Sequence, residues 1–269
     1  MIFDCHTHTK FSADSKMLAE DAIKKAESLN LGIVFTEHFD YKIPGDIDFT
    51  FVPEDYWNEY EKFRSNDVRL GVEIGMEEIA RKPAAEFIKR VPFDLVIGSI
   101  HLVDRLDIYY PEFYVGKDKL TAYEKYFSAM IEEAAIGDYD VLAHIDYICR
   151  AAPYNDPEID YATFKDQIDR VLKIIIERGK VLELNTRRLN TRRGLKELVP
   201  IYTQYKNLGG KYVTIGSDAH KVEAVGNYFD IAIAFAKELD LKVVLKELID
   251  HYKSNYKIKI EISFNPNNI

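Results

Sequence analysis

A parallel β/α barrel with a metal site at the C-terminal ends of its strands is the fold this sequence predicts, on three observations. Short apolar, β-favouring runs alternate along the chain with segments of helical period. Six of the seven histidines fall at or just beyond the ends of those runs. The 269 residues, 47% of them hydrophobic, show no Gly/Ser-rich or Pro-rich linker and no internal repeat, which suits one large core of barrel size. We expect a single domain over residues 1–269, with 240–269 as a helix-and-strand extension.

The first run, Met1-Ile2-Phe3, leads into Asp4-Cys5-His6-Thr7-His8. Histidines at i and i+2 of an extended segment share a face, with Asp4 beside them and Phe3, Cys5 and Thr7 opposite. Alone, the pair fits a hydrogen-bonded structural role as well as a shared cation. After a polar loop from Thr9 to Ser15, Leu18, Ala22, Ile23, Ala26 and Leu29 mark a helix. Asp14 in that loop reads by position as a helix cap, with metal ligation as the alternative. Leu31 to Thr36 is a strand buried on both faces, ending in Glu37-His38-Phe39-Asp40. Asp55 to Arg64 reads as a helix and Val68 to Glu77 as the third strand, in which Glu73 is costly to bury unless it pairs or coordinates.

Pro83 to Arg90 is a short helix, and Phe93 to His101 a fourth strand that again ends on histidine. The aromatic connection over 103–116, with Tyr109, Tyr110, Phe113 and Tyr114, fits a packed surface loop or a lid. A helix from about Leu120 to Ile136 precedes a fifth strand, Tyr139 to His144. A long helix spans Tyr161 to Arg178 and is ended by Gly179. The sixth strand, Val181 to Asn185, carries no histidine but runs into Arg187, Arg188, Arg192 and Arg193; the seventh, Tyr212 to Gly216, delivers Asp218 and His220. Beyond it, Val244, Leu245, Leu248, Ile249 and Tyr252 suggest an amphipathic helix whose His251 is a surface residue. Lys257 to Phe264 alternates strictly, as a strand that covers one end of the barrel or offers an edge to a second subunit in a homo-oligomer.

Barrel strand ends converge on one face, so these imidazoles and carboxylates would meet there, in numbers that imply more than one divalent ion. The net charge of -9, with Lys and Arg interleaved among acids, counts against a nucleic acid polymer or an anionic membrane as partner. Two cysteines and the lack of a leader-like or long apolar segment suggest the reducing cytoplasm.

The set His6-Thr7-His8, Ser12-Ala13-Asp14, Glu37-His38, Gly71-Val72-Glu73, Ile97 to His101, Ala143-His144, Glu183-Leu184-Asn185 and Gly216 to His220 resembles the polymerase and histidinol phosphatase (PHP) family of phosphoesterases, within it most closely the monofunctional histidinol-phosphate phosphatases. The resemblance runs from Met1 to about Leu239. It implies a distorted (β/α)7 barrel with two to three zinc, iron or manganese ions. It also implies their ligands: His6, His8, Glu73 and Asp218 for the first, Glu73 shared with His101 and His144 for the second, and Asp14, His38 and His220 for the third. Some family members carry histidine at the position of Asp14.

The implied substrate is a small phosphate monoester, L-histidinol phosphate, with a nucleotide, a nucleic acid end or a phosphotyrosine as the alternative; a noncatalytic metal-binding module is disfavoured by the complete ligand set. Two ions sharing a water lower its pKa and ready it for attack on phosphorus. Arg150, Arg187 and Arg188, just past the fifth and sixth strands, are the candidates to clamp phosphate oxygens bidentately. Asp218 and His220 are candidates for the general acid.

Overall fold

The computed structural model describes residues 1–245. Its strands are β1 (Ile2–Thr7), β2 (Leu31–Phe39), β3 (Val68–Gly75), β4 (Leu95–Ser99), a small hairpin of β5 (Leu102–Val103) and β6 (Leu106–Asp107), then β7 (Val141–Leu142), β8 (Val181–Asn185), β9 (Tyr212–Gly216) and β10 (Lys242–Val243). The helices between them are α1 (Ala19–Ser28), α2 (Pro53–Tyr60), α3 (Arg81–Phe87), α4 (Lys119–Ile136), α5 (Lys165–Glu177), α6 (Arg192–Asn207) and α7 (Phe229–Glu238). Apart from the hairpin the strands form one parallel sheet in the order β1-β2-β3-β4-β7-β8-β9-β10. Among the described residues no helix is long and apolar enough to cross a membrane.

The sheet curls until β1 and β9 meet. The seam is narrow: Asp218 N–H donates to His6 O at 2.8 Å, His8 N–H donates to Ala219 O at 2.8 Å, and Thr7 bridges Ala219. Seven strands therefore make the ring that the sequence predicts, and β10 is a two-residue addition beside β9. Where the sequence suggests a helix from Val244, the chain is still extended, with Val244 N–H on Val213 O at 2.9 Å. Val244 and Leu245 join Phe3, Cys5, Val34, Leu95, Ile97, Val141, Ala143 and Val181 in an apolar plug inside the ring. Burying these side chains drives the tail onto the barrel, at roughly 25 cal/mol per Å² of apolar surface. The expected helix beyond Leu245, His251 and the alternating run from Lys257 lie outside the described residues.

Two other expectations change in detail. The helix expected from Tyr161 begins at Lys165, because Asp160 turns the preceding segment, accepting from Thr163 N–H at 3.3 Å, and Tyr161 donates to Asp169 at 2.7 Å. The connection over 103–116 is half core and half rim: Phe113 and Tyr114 are buried, whereas Tyr109 and Tyr110 are about half exposed. Side-chain caps start α4, where Asp118 accepts from Thr121 N–H, and α6, where Thr191 accepts from Gly194 N–H.

Candidate metal centre and active site

The ring closes where the histidines are, and an irregularity in β1 aims them. Its register with β2 shifts between Asp4 and Thr7, so strict alternation fails. Asp4, expected on the histidine face, turns away: it accepts from Ser217 N–H (2.8 Å), Ser217 Oγ (2.6 Å) and Gly226 N–H (2.9 Å). Burial outweighs these bonds and raises its carboxyl to about 6. It ties β1 to both ends of the 217–226 loop and takes no part in the cluster. Asp218 in that loop adopts φ 55°, a left-handed backbone that Asp tolerates better than most residues and that functional sites often hold.

Glu73 is the hub. Its Oε2 lies 3.1 Å from His6 Nε2, 3.4 Å from His8 Nε2 and 2.9 Å from His38 Nδ1, and its Oε1 lies 3.4 Å from His101 Nε2 and 3.0 Å from His144 Nε2. Asp218 Oδ1 stands 3.5 Å from His8 Nε2 and 4.0 Å from His6 Nε2. Asp14 meets His220 Nε2 at 3.0 Å and His38 Nε2 at 3.8 Å. It caps no helix, since Leu18 occupies the N-cap of α1. The chain thus brings His6, His8, Asp14, His38, Glu73, His101, His144, Asp218 and His220 into one cluster.

The outward nitrogens fix the tautomers. His6 Nδ1 pairs with Glu183 Oε1 (2.7 Å) and His101 Nδ1 with Asp40 Oδ1 (2.8 Å), and a carboxylate only accepts. Ser12 Oγ gives its single proton to Glu37 (2.7 Å), so His8 Nδ1, 3.1 Å away, must be the donor to it. His220 Nδ1 donates to the Asp218 carbonyl at 3.0 Å. In all four rings the Nε2 lone pair is left for the interior.

Do these residues fit cations? Among the described residues His6 Nε2, His8 Nε2, His38 Nδ1 and Glu73 Oε2 are buried atoms without a hydrogen-bond partner, and triads such as His6, His8, Glu73 and Glu73, His101, His144 have ligand atoms within 4.8 Å of one another. Buried unpaired lone pairs are expensive unless a cation fills them. Burial opposes charge on Glu73 and Asp218, but the imidazoles around the first, and Arg150 with His6 around the second, outweigh it and hold both well below the usual carboxylate range. Burial, with His38 and His220 nearby, keeps His8 neutral, as a ligand must be. The donor set fits divalent ions.

Glu183 and Asp40 went unassigned in the sequence because they touch rings rather than the shared centre. Glu183 also accepts from His144 N–H (2.9 Å) and Asn185 Nδ2 (3.1 Å). Each needs a glycine opposite. A Cβ on Gly216 would sit 2.3 Å from Glu183 Oε1, and one on Gly75 would sit 1.9 Å from Asp40 Oδ1. Carboxylates that orient metal-binding histidines are worth about 10- to 100-fold in metal affinity. Asp40→Asn is accordingly expected to weaken metal binding by that factor, as read by competition with a calibrated chelator; unchanged affinity would leave Asp40 a packing residue.

The arginines part company. Arg150 is nearly buried, ion-paired to Asp218 Oδ2 (2.6 Å), hydrogen-bonded to Asn185 Oδ1 (3.1 Å) and stacked 4.7 Å over the Tyr147 ring. Arg187, 47% exposed, reaches the Asp218 carbonyl at 3.2 Å. Arg188 is spent on a fork to Glu158 (2.6 Å to each oxygen) and on Asp146 (3.2 Å). Arg193 pairs with Asp156 at the surface. All of Arg150, Arg187 and Arg188 line a cavity of about 540 Å³ above the cluster.

A parallel β/α barrel that converges six imidazoles and three carboxylates on its C-terminal face defines a metal-dependent enzyme. The PHP domain family matches residues 4–187, and the chain belongs to that family. It is 46% identical to a probable histidinol-phosphatase of Clostridium acetobutylicum, over 92% of this chain and 97% of that one. It is 31% identical to the histidinol-phosphatase of Lactococcus lactis subsp. lactis, over 81% of this chain and 83% of that one. The crystal structure of histidinol phosphate phosphatase from the same organism, complexed with zinc, L-histidinol and phosphate, superposes with a TM-score of 0.84 at 28% identity, covering 90% of this chain and 95% of that chain.

Proposed function

We propose that the protein hydrolyses L-histidinol phosphate to L-histidinol and phosphate, as a step of histidine biosynthesis in the cytoplasm. The observation that carries this reading is one carboxylate, Glu73, shared by five imidazoles beneath a cavity walled by Arg150 and Arg187. The names of the relatives support the substrate.

Two to three ions of zinc, iron or manganese would be held by His6, His8, Glu73 and Asp218, by Glu73, His101 and His144, and by Asp14, His38 and His220. When bound, such ions polarise phosphoryl oxygens and acidify water. The protein's own contribution is orientation and charge. Arg150, its plane set by Tyr147 and Asn185, offers a buried Nε–H without a partner among the described residues. Preorganised guanidinium groups of this kind stabilise the charge that spreads over phosphoryl oxygens during transfer. Asp218, held ionised against burial chiefly by Arg150, has no proton to donate, and the same pairing weakens it as a base. His220 has no free proton either, since its Nδ1–H is committed to the Asp218 carbonyl and its Nε2 is turned to Asp14 and the proposed third ion, so a solvent water is the better candidate to protonate the leaving alkoxide.

Arg188 is structural in this reading. Arg188→Ala is expected to lower Tm by about 5–10 °C, as a broken, largely buried ion pair costs roughly 3 kcal/mol, while KM changes less than threefold. Arg150→Ala raises KM at least tenfold, since it removes phosphate binding and takes the guanidinium from Asp218 Oδ2, leaving Arg187 and the imidazoles on Oδ1. Thermal melts beside steady-state kinetics separate the two; the reverse pattern would exchange their roles.

The reading itself is tested by phosphate release from L-histidinol phosphate beside nucleotides, phosphotyrosine and an aryl phosphate, using metal-analysed protein. A kcat/KM preference for L-histidinol phosphate supports it, and a preference for nucleotides overturns it.

A further inference from the structure

We propose that Asp107 receives the ammonium group of a cationic leaving alcohol and so selects amine-bearing phosphate monoesters. The inference rests on the phosphatase reading above and concerns the part of the cavity lined by Asp107, near His101 and Asp40. Five carboxylates line that cavity: Asp14, Asp40, Glu73, Asp107 and Asp218. Four of them meet a histidine or arginine nitrogen closely, Asp14 on His220 at 3.0 Å, Asp40 on His101 at 2.8 Å, Glu73 on His38 at 2.9 Å and Asp218 on Arg150 at 2.6 Å. Asp107 accepts the Tyr109 N–H at 2.8 Å and has no ion-pair partner among the described residues.

A carboxylate without a close ion pair, whose charged neighbours are the His101 imidazole and the Asp40 carboxylate, is out of place in a phosphate cavity. It repels a phosphate dianion and so penalises simple phosphate esters, unless the same molecule brings a positive charge to it. A zwitterionic ester satisfies both ends, phosphate on the metal and arginine side and ammonium on Asp107.

Nor is Asp107 free to swing aside. It pairs with Leu102 in the hairpin that starts directly after His101, the following Ile108 N–H donates to His101 O at 3.0 Å, and Tyr114 Oη–H donates to Ile108 O at 2.6 Å. The hairpin therefore holds this carboxylate in fixed relation to a proposed metal ligand. Tyr109 and Tyr110 follow it, half exposed and lining the same cavity, and offer ring faces to a flat or cationic group carried on the alcohol.

The test is a ratio of kcat/KM values for matched esters with and without the amine: L-histidinol phosphate against 3-(imidazol-4-yl)propyl phosphate, and 2-aminoethyl phosphate against ethyl phosphate. The unaltered protein is expected to favour the amine at least about tenfold, the value of a charged hydrogen bond. In Asp107→Asn the ratio falls toward one, and in Asp107→Glu part of it returns. Asn keeps an acceptor for Tyr109 N–H, so the hairpin is retained; Asp107→Ser is a second neutral variant should Asn fold poorly. A ratio near one in the unaltered protein, or an undiminished ratio in the neutral variants, overturns the assignment. Should L-histidinol phosphate prove no substrate while the 2-aminoethyl preference exists and depends on Asp107, the functional reading fails and Asp107 stands. Turnover of L-histidinol phosphate without an amine preference is the opposite result.

Discussion

Glu73→Gln is expected to reduce turnover by roughly four orders of magnitude, on the order of 5 kcal/mol of transition-state stabilisation. The substitution is nearly isosteric, so packing is kept and the charge alone is lost. Among the described residues no other carboxylate spans the same rings: Asp218 reaches only the His6, His8 and His220 side of the cluster, Asp14 only His38 and His220, and Asp40 only His38 and His101. His144 would lose the anion that joins its Nε2 to the other rings, and His101 would keep only Asp40, on its opposite nitrogen. Metal analysis of the variant should show fewer ions per chain than the unaltered protein. A fully active, fully loaded Gln variant would remove Glu73 from the bridging position.

Chelation gives the second large effect. A group that binds only the folded chain stabilises it by about 4 kcal/mol at a thousandfold excess over Kd, so stripping the metals is expected to lower Tm by roughly 10 °C. The pH dependence of the stripped protein carries a sign. Burial lowers the affinity of His6, His38 and His101 for a proton, but Glu73 with Glu183 or Asp40 more than reverses this and raises all three. Their contribution is complete below the ordinary histidine value of 6.5 and is lost as pH rises through their folded values. His8 and His144, lowered by burial, act only below 6.5, where they destabilise as pH falls. Stripped protein should therefore melt at falling temperature as pH climbs above 6.5, and added zinc or manganese should flatten the slope. A Tm indifferent to chelator would mean that the cluster is held by its hydrogen bonds alone.

The clustered histidines were legible because a strand end is a place with a pattern. An apolar run that stops on histidine, repeated around a barrel, brings the rings together whatever the details of packing. Glu73 announced itself as a charge inside an apolar strand. The second layer gave no such signal: Asp40 looks like a loop residue, Ser12 like a polar turn, and Glu183 takes its meaning from a ring 177 positions away. Asp14 read more naturally as a cap, since spacing to a helix is local and its partner His220 is distant. Strict alternation misplaced Asp4 because the β1 irregularity is set by the seam with the 217–226 loop, not by β1 itself. Arg188 could not be told from Arg187 until Glu158 was seen to hold it. Val244 and Leu245 kept helical spacing, yet the plug inside the ring is a stronger claim on two apolar side chains than a helix face.

Gly75 and Gly216 touch no substrate and hold no ion, yet each occupies a site where any side chain would evict a carboxylate that steers a ring. In a saturation survey of this chain under selection for activity, these two positions should tolerate as little as the histidines, with alanine already failing. Variants there should accumulate as folded protein that loads poorly with metal, so that the survey's dead positions trace a shell of absent side chains around the centre as well as the centre itself.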